Sequence, residues 1–190
     1  MIEPTLPVVT CNLRFLLWRA GIAREQWATQ LAGWIGGDPQ RGTALLQGRT
    51  LPVPAELDQL ASSTGRDAGE IQFGDFTAEI SILEENLRYL VEAPKRGQKK
   101  VLAEHLAISQ VTFSRWLAGK QQPARKYLAA IRKYFGLPAS IDLENDPLFL
   151  ELSPVGSYEQ RAWLRQRVDE LDDETLRVLF PALERLLRQP

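Results

Sequence analysis

A diverged internal repeat constrains this chain more than any other feature. NLRFLL at 12–17 returns as NLRYLV at 86–91, WATQLA at 27–32 as LAEHLA at 102–107, and LLQGRTLP at 45–52 as WLAGKQQP at 116–123. The offsets are 74, 75 and 71, which places four extra residues in the first copy between Ala32 and Gly48. Self-similarity at a fixed spacing means one supersecondary unit used twice.

Each copy reads as four or five short helices. In the second, Ser81 followed by Glu84 forms a capping box that opens a helix with Leu83, Leu87, Leu90 and Val91 on one face, ended by Pro94 and Gly97. A helix over about 99–107 follows, with Leu102, Ala103 and Leu106 inward. Ser109 caps the next, whose Phe113, Trp116 and Leu117 fall at helical spacing before Gly119 stops it. Pro123 starts a fourth, with Leu128, Ile131 and Phe135 on its stripe, closed by Gly136 and Pro138. No useful strand-like alternation appears. The stretch 136–157 is rich in Pro and turn formers yet holds Ile141, Leu143, Leu148, Phe149 and Leu150, so it reads as an ordered connector. Two last helices, about Tyr158–Leu171 and Glu174–Arg188, carry Trp163, Leu164, Val168, Leu176, Leu179, Phe180, Leu183 and Leu187, and Pro181 is expected to kink the second. The expected fold is all-α: two tandem helix-turn-helix domains over 1–80 (the diverged copy) and 81–138, then a C-terminal helical segment over 139–190.

Charge divides the chain unevenly. Residues 1–80 carry six Lys/Arg against nine Asp/Glu, and 136–190 carry six against eleven. Residues 86–135 carry eleven basic residues against Glu92 and Glu104 alone. A basic segment between acidic flanks is a focused field that suits a polyanion, set against the plainer reading of a solvated face. Nothing in the sequence is apolar for long enough to span a membrane, and the N-terminus lacks the pattern of a signal peptide, so a cytoplasmic location is expected. Cys11 is the single cysteine, which excludes an internal disulfide and a cysteine-based zinc cluster.

The helices at 99–107 and 109–118 are joined by a turn of about two residues, which forces a steep crossing. This is the helix-turn-helix device, in which the start of the second helix enters the major groove. Burial of Phe113, Trp116 and Leu117 leaves Gln110, Val111, Ser114 and Arg115 on the opposite face. Gln suits adenine, Arg suits guanine, Val meets a thymine methyl and Ser serves either. Lys99, Lys100, Lys120, Arg125 and Lys126 stand near helix ends, where phosphate contacts would hold register, with Ser109 beside them.

The stretch LAEHLAISQVTFSRWLAGKQQP, with the following LAAIRKYFGLP, resembles the phage-repressor-like helix-turn-helix family of transcriptional regulators, also called the Cro or XRE type. The resemblance covers about 86–138, and a weaker one covers about 12–72. It implies base-reading places at Gln110, Val111, Ser114 and Arg115 and phosphate contacts near Lys99, Lys120 and Arg125. The family usually has Gln where Lys99 stands, and here Gln98 is one place early. In the first copy Asp38 aligns with the cap Ser109, Gly42 takes the slot of Phe113, Ala44 that of Arg115, and Gly33–Gly37 replaces the tight turn. Gln40, Arg41, Thr43 and Arg49 are its candidates for a second DNA contact, against a protein-binding or purely structural role.

The remaining conspicuous residues have plain explanations. His105 lacks the context of a nucleophile–base pair and fits a surface position better than a catalytic one. Cys11 reads as a reduced thiol. Asp172, Asp173 and Glu174 precede a helix and fit a charged first turn better than a metal site. Trp27 and Trp116 sit on apolar faces as core anchors. No catalytic constellation, metal site or cofactor motif stands out, so the chain is expected not to be an enzyme. The leading expectation is a sequence-specific repressor of transcription on double-stranded DNA, acting as a homodimer. The alternative is an antitoxin or adaptor that binds a protein partner through the first domain or the C-terminal helices. The C-terminal apolar stripe fits intramolecular packing and a dimer interface equally.

Overall fold

The computed structural model describes residues 6–92 and 98–187. All regular structure among them is helical: α1 (Val8–Arg19), α2 (Trp27–Ile35), α3 (Pro39–Leu46), α4 (Pro54–Thr64), α5 (Ala68–Phe73), α6 (Ile82–Glu92), α7 (Gln98–His105), α8 (Gln110–Leu117), α9 (Arg125–Phe135), α10 (Ser157–Asp169) and α11 (Asp173–Leu187). Short 3-10 turns occupy Arg24–Gln26, Phe76–Glu79 and Leu148–Leu150. The expected stops at Pro94 and Gly97 lie outside the described residues. No helix among the described residues is long and apolar enough to cross a membrane.

The chain divides into two compact units. One comprises the described residues up to Tyr89 with Ser114–Gln122 and Asp142–Leu152; the other comprises those of Leu90–Phe113, Pro123–Ile141 and from Ser153 onward. In the first unit α1 is buried nearly all round, through Val9, Leu13, Phe15, Leu16 and Leu17. Such a helix belongs in the middle of its unit. Its buried polar residues, Thr10, Asn12 and Arg14, are all hydrogen-bonded. Arg14, 5 % exposed, donates to the Leu46 carbonyl through Nε (2.8 Å) and Nη2 (2.6 Å) and to the Leu150 carbonyl through Nη1 (3.1 Å). Burial draws its guanidinium below the ordinary value, with the nearby Glu151 carboxylate opposing that shift. Buried Glu85 accepts from Trp18 Nε1 at 2.8 Å and from Arg88 at 3.0 Å, which ties α6 to α1.

The repeat is visible in geometry, with a register that letter matching misplaced. Buried positions 27, 31, 32 and 35 of α2 correspond to buried 98, 102, 103 and 106, a constant offset of 71. The same offset relates the left-handed residues Gly36 and Ala107, the caps Asp38 and Ser109, the left-handed Gly48 and Gly119, and the helix-ending Gly65 and Gly136. WATQLAGWIG therefore matches QKKVLAEHLA, and no residues are inserted between Ala32 and Gly48. The extra residues of the first copy fall before α2. The supposed Gly33–Gly37 connection is likewise absent, because α2 runs three residues past Ala32 to Ile35, which is 4 % exposed.

The connector after α9 is ordered. Leu143, Leu148, Phe149 and Leu150 are all buried in the first unit. In the second unit the end of α9 and the start of α10 interlock. Ser157 N donates to the Gly136 carbonyl at 3.1 Å, and the Tyr158 ring meets those of Tyr134 and Phe135 at 6.2 and 5.8 Å.

Candidate nucleic-acid interface

α7 closes on a left-handed residue. Ile108 N donates to the Ala103 carbonyl across Ala107, whose φ of +52° is the one positive value at a non-glycine among the described residues. With Ala107 N donating to the Glu104 carbonyl, this bond closes the helix end as a Schellman motif, and it makes the turn as short as the sequence implied. Ser109 then starts α8: its Oγ accepts from Thr112 N at 3.0 Å, and its carbonyl accepts from Phe113 N. The Ser109 hydroxyl also meets Thr112 Oγ1 at 2.9 Å, so its first role is the cap.

Along α8 the polar and apolar faces separate as the spacing predicts. Phe113 and Trp116 are 0 % and 2 % exposed. Gln110, Val111 and Arg115 are exposed, and Ser114 is half-buried. Val111 shows 63 % of its surface to solvent.

The flanking cations stand where helix electrostatics disfavours them. Lys99 and Lys100 occupy the first turn of α7, and Arg125 and Lys126 that of α9; neither turn holds an acid. A helix N-terminus carries partial positive charge and favours anions, so paired cations there cost helix stability and concentrate positive field. All four belong to the second unit. Lys100 pairs weakly with Glu104 at 3.9 Å, and Lys126 lies 4.8 Å from the Tyr127 ring centre. Lys120 is exposed in the turn that follows α8. Gln98, next to the place where the family carries Gln, is turned inward instead. It is 7 % exposed, donates to Tyr134 Oη at 3.4 Å and accepts from Tyr158 Oη at 3.3 Å. That leaves Lys99, half-buried, as the polar side chain at the surface there.

The corresponding face of the first copy is built differently. Arg41 donates to Glu56 twice, Nε to Oε1 at 2.8 Å and Nη2 to Oε2 at 2.7 Å, and also to Thr50 Oγ1 and the Leu51 carbonyl. The guanidinium beside Glu56 holds that carboxyl below its ordinary range. Thr43 Oγ1 donates back to the Pro39 carbonyl. Gln40 and Arg49 remain exposed. A Cβ at Gly42 would overlap the Ala28 carbonyl oxygen, so α2 and α3 touch backbone to backbone where the second copy inserts Phe113. The first turn of α4 carries the acid Glu56, where that of α9, the equivalent helix of the second copy, carries cations.

The other singled-out residues take structural places. His105 is exposed and rests on Tyr134, with ring centres 4.7 Å apart. Burial raises the Cys11 thiol above its ordinary value, which disfavours the reactive thiolate. Asp172 caps α11 by accepting from Thr175 N at 2.8 Å. Trp27 and Trp116 are core residues, whereas Trp163 is 45 % exposed. Compared with family models, curated proteins and solved structures, the chain matches none of them.

Proposed function

We propose that this chain is a sequence-specific DNA-binding regulator of transcription, acting as a repressor, that reads the major groove with α8. It acts by binding rather than by catalysis, and it works in the cytoplasm. The carrying observation is the α8 face: Gln110, Val111, Ser114 and Arg115 lie opposite buried Phe113 and Trp116, at the spacing that meets successive base edges. Support comes from Lys99, Lys100, Arg125 and Lys126, whose placement in helix first turns suits phosphate rather than helix stability. Lys120 and the start of α8 at Ser109 add further phosphate contacts. In the first copy Arg41 is held by Glu56, which leaves Gln40 and Arg49 as the side chains available for a second contact.

The test is selection of bound duplexes from a randomised pool, followed by titration of the winner against a scrambled duplex at fixed salt. A binder of this kind discriminates by about 10³-fold or more. Equal affinity for selected and scrambled duplexes rejects the proposal. A second reading, an antitoxin or adaptor that docks a protein partner, is favoured by exposed apolar side chains on the first copy. Leu51, Val53 and Phe73 are 57 %, 51 % and 77 % exposed. A partner that co-purifies in fixed ratio and still binds after α8 is altered supports that reading.

A further inference from the structure

The first turn of α7 holds Lys99 and Lys100 and no acid, so it lacks the charge pattern that keeps a helix start wound. The first backbone N–H groups of a helix also have no partner within it. An outside tie is therefore worth more here than at an ordinary helix start, and Gln98, the first residue of α7, supplies one. At 7 % exposure its amide is held from two sides: Nε2 donates to Tyr134 Oη on α9 at 3.4 Å, and Oε1 accepts from Tyr158 Oη on α10 at 3.3 Å. Tyr134 also serves the other end of α7, where its ring centre lies 4.7 Å from that of His105.

Two close approaches bring Tyr158 to this place. A Cβ at Gly136 would overlap Ser157 Oγ, and one at Gly156 would overlap the Phe135 carbonyl oxygen, so the chain entering α10 runs tight against the end of α9. The Tyr158 ring then stacks on that of Tyr134, with 25° between the planes. α10 has no fully buried residue, so Gln98 is met by a helix that adds little else to the core. The first copy is built the other way. Trp27 stands where Gln98 does, and its Nε1 donates to the Ile22 carbonyl at 2.9 Å, just ahead of its own helix. Ala28 and Thr29 stand where Lys99 and Lys100 do. The polar tie to α10 goes with the cations.

Resting on the DNA reading above, we propose that Tyr158 is a positioning residue for phosphate binding. Through Gln98 it keeps the first turn of α7 wound, which holds Lys99 and Lys100 toward the DNA backbone. The C-terminal segment thereby sets how tightly the head binds, while α8 sets which sequence it prefers.

Tyr158→Phe removes the hydroxyl and keeps the ring. In the full chain, anisotropy titrations should show it binding the selected and the scrambled duplex alike about fivefold more weakly, the fold-change of one net hydrogen bond. The slope of log affinity against log salt should flatten by up to about 1.8, from about 0.9 for each of two phosphates. In a chain that already carries Lys99→Gln and Lys100→Gln, Tyr158→Phe should weaken binding no further, whereas a general loss of stability would act in both backgrounds. Hydrogen exchange gives a readout without DNA. The Leu102 amide, which the helix pattern bonds to the Gln98 carbonyl, should exchange about fivefold faster in Tyr158→Phe, while the Phe113 amide, bonded to the Ser109 carbonyl, keeps its rate. An unchanged Leu102 rate, or a binding defect equally large without the two lysines, overturns the proposal. A wild type that does not distinguish the selected from the scrambled duplex rejects the DNA reading and this proposal with it. A wild type that distinguishes them, with Tyr158→Phe binding as tightly, rejects this proposal alone.

Discussion

Asn12 and Asn86, 74 positions apart, make the same pair of hydrogen bonds at equivalent places in the repeat. Asn12 Nδ2 donates to the carbonyls of Ile71 (2.9 Å) and Gly74 (2.6 Å); Asn86 Nδ2 donates to those of Leu143 (2.9 Å) and Asp146 (2.8 Å). Both side chains are fully enclosed, at 1 % and 0 % exposure. Each clamps the chain just before a 3-10 turn whose first residue is buried, Phe76 in one copy and Leu148 in the other. Two carbonyls three residues apart need one donor group with two hydrogens, which an amide supplies.

Replacing either Asn by Ala strands one buried and one part-buried carbonyl and should destabilise the chain by on the order of 2 kcal/mol. Asn12→Ala should be the more damaging of the two, because Asn12 Oδ1 also accepts from Phe76 N at 3.3 Å. Urea unfolding of the two variants checks both size and order. Equal effects below about 1 kcal/mol would show that the clamp is incidental.

Ala107 carries a positive φ that its Cβ makes unfavourable. Ala107→Gly should therefore raise stability, by up to about 1 kcal/mol after the entropy of the freer unfolded chain is subtracted. The converse change at the equivalent position, Gly36→Ala, should lower it by a similar amount. Thermal unfolding of the two variants should move in opposite directions.

Arg115→Ala should relax base preference at one position and weaken the selected duplex by about 1–3 kcal/mol, with little change on scrambled DNA. Lys120→Ala should instead weaken both duplexes alike. Removing Lys99, Lys100, Arg125 and Lys126 together should flatten the dependence of log affinity on log salt by about 0.9 for each phosphate that is no longer neutralised. Anisotropy titrations across salt concentrations separate these effects.

Glu56 gives the first copy an acid-sensitive link. Its carboxyl lies lower in the folded chain than in the unfolded one, since Arg41 favours the charged form. The stability it adds is therefore fully present above the ordinary carboxylate range, at about pH 4.3, and is lost as pH falls through the lowered folded value. Glu56→Gln should be less stable than wild type at neutral pH, and the gap should close on acidification. A gap that stays constant to about pH 3 would contradict the linkage.

Much of this molecule is legible locally. Ser109, Asp38 and Asp172 announce helix starts, Gly119 and Gly136 announce ends, and Phe113 with Trp116 fixes which face of α8 is turned in. These features depend on residues a turn or two apart, and the sequence by itself determined them. It also determined that the cations cluster in the second copy. The register of the repeat was obscured because Leu-Ala occurs twice within VLAEHLA, at 102–103 and 106–107, and only burial distinguishes the two. Tertiary structure alone decided that Arg41 answers Glu56, that Gln98 turns toward Tyr134 and Tyr158, and that Gly42 lets two backbones touch. It also decided that Leu179 and Phe180 stay bare although they are as apolar as the core. Periodicity shows that a helix has an apolar side, whereas what lies against that side is set by chain segments far away in sequence.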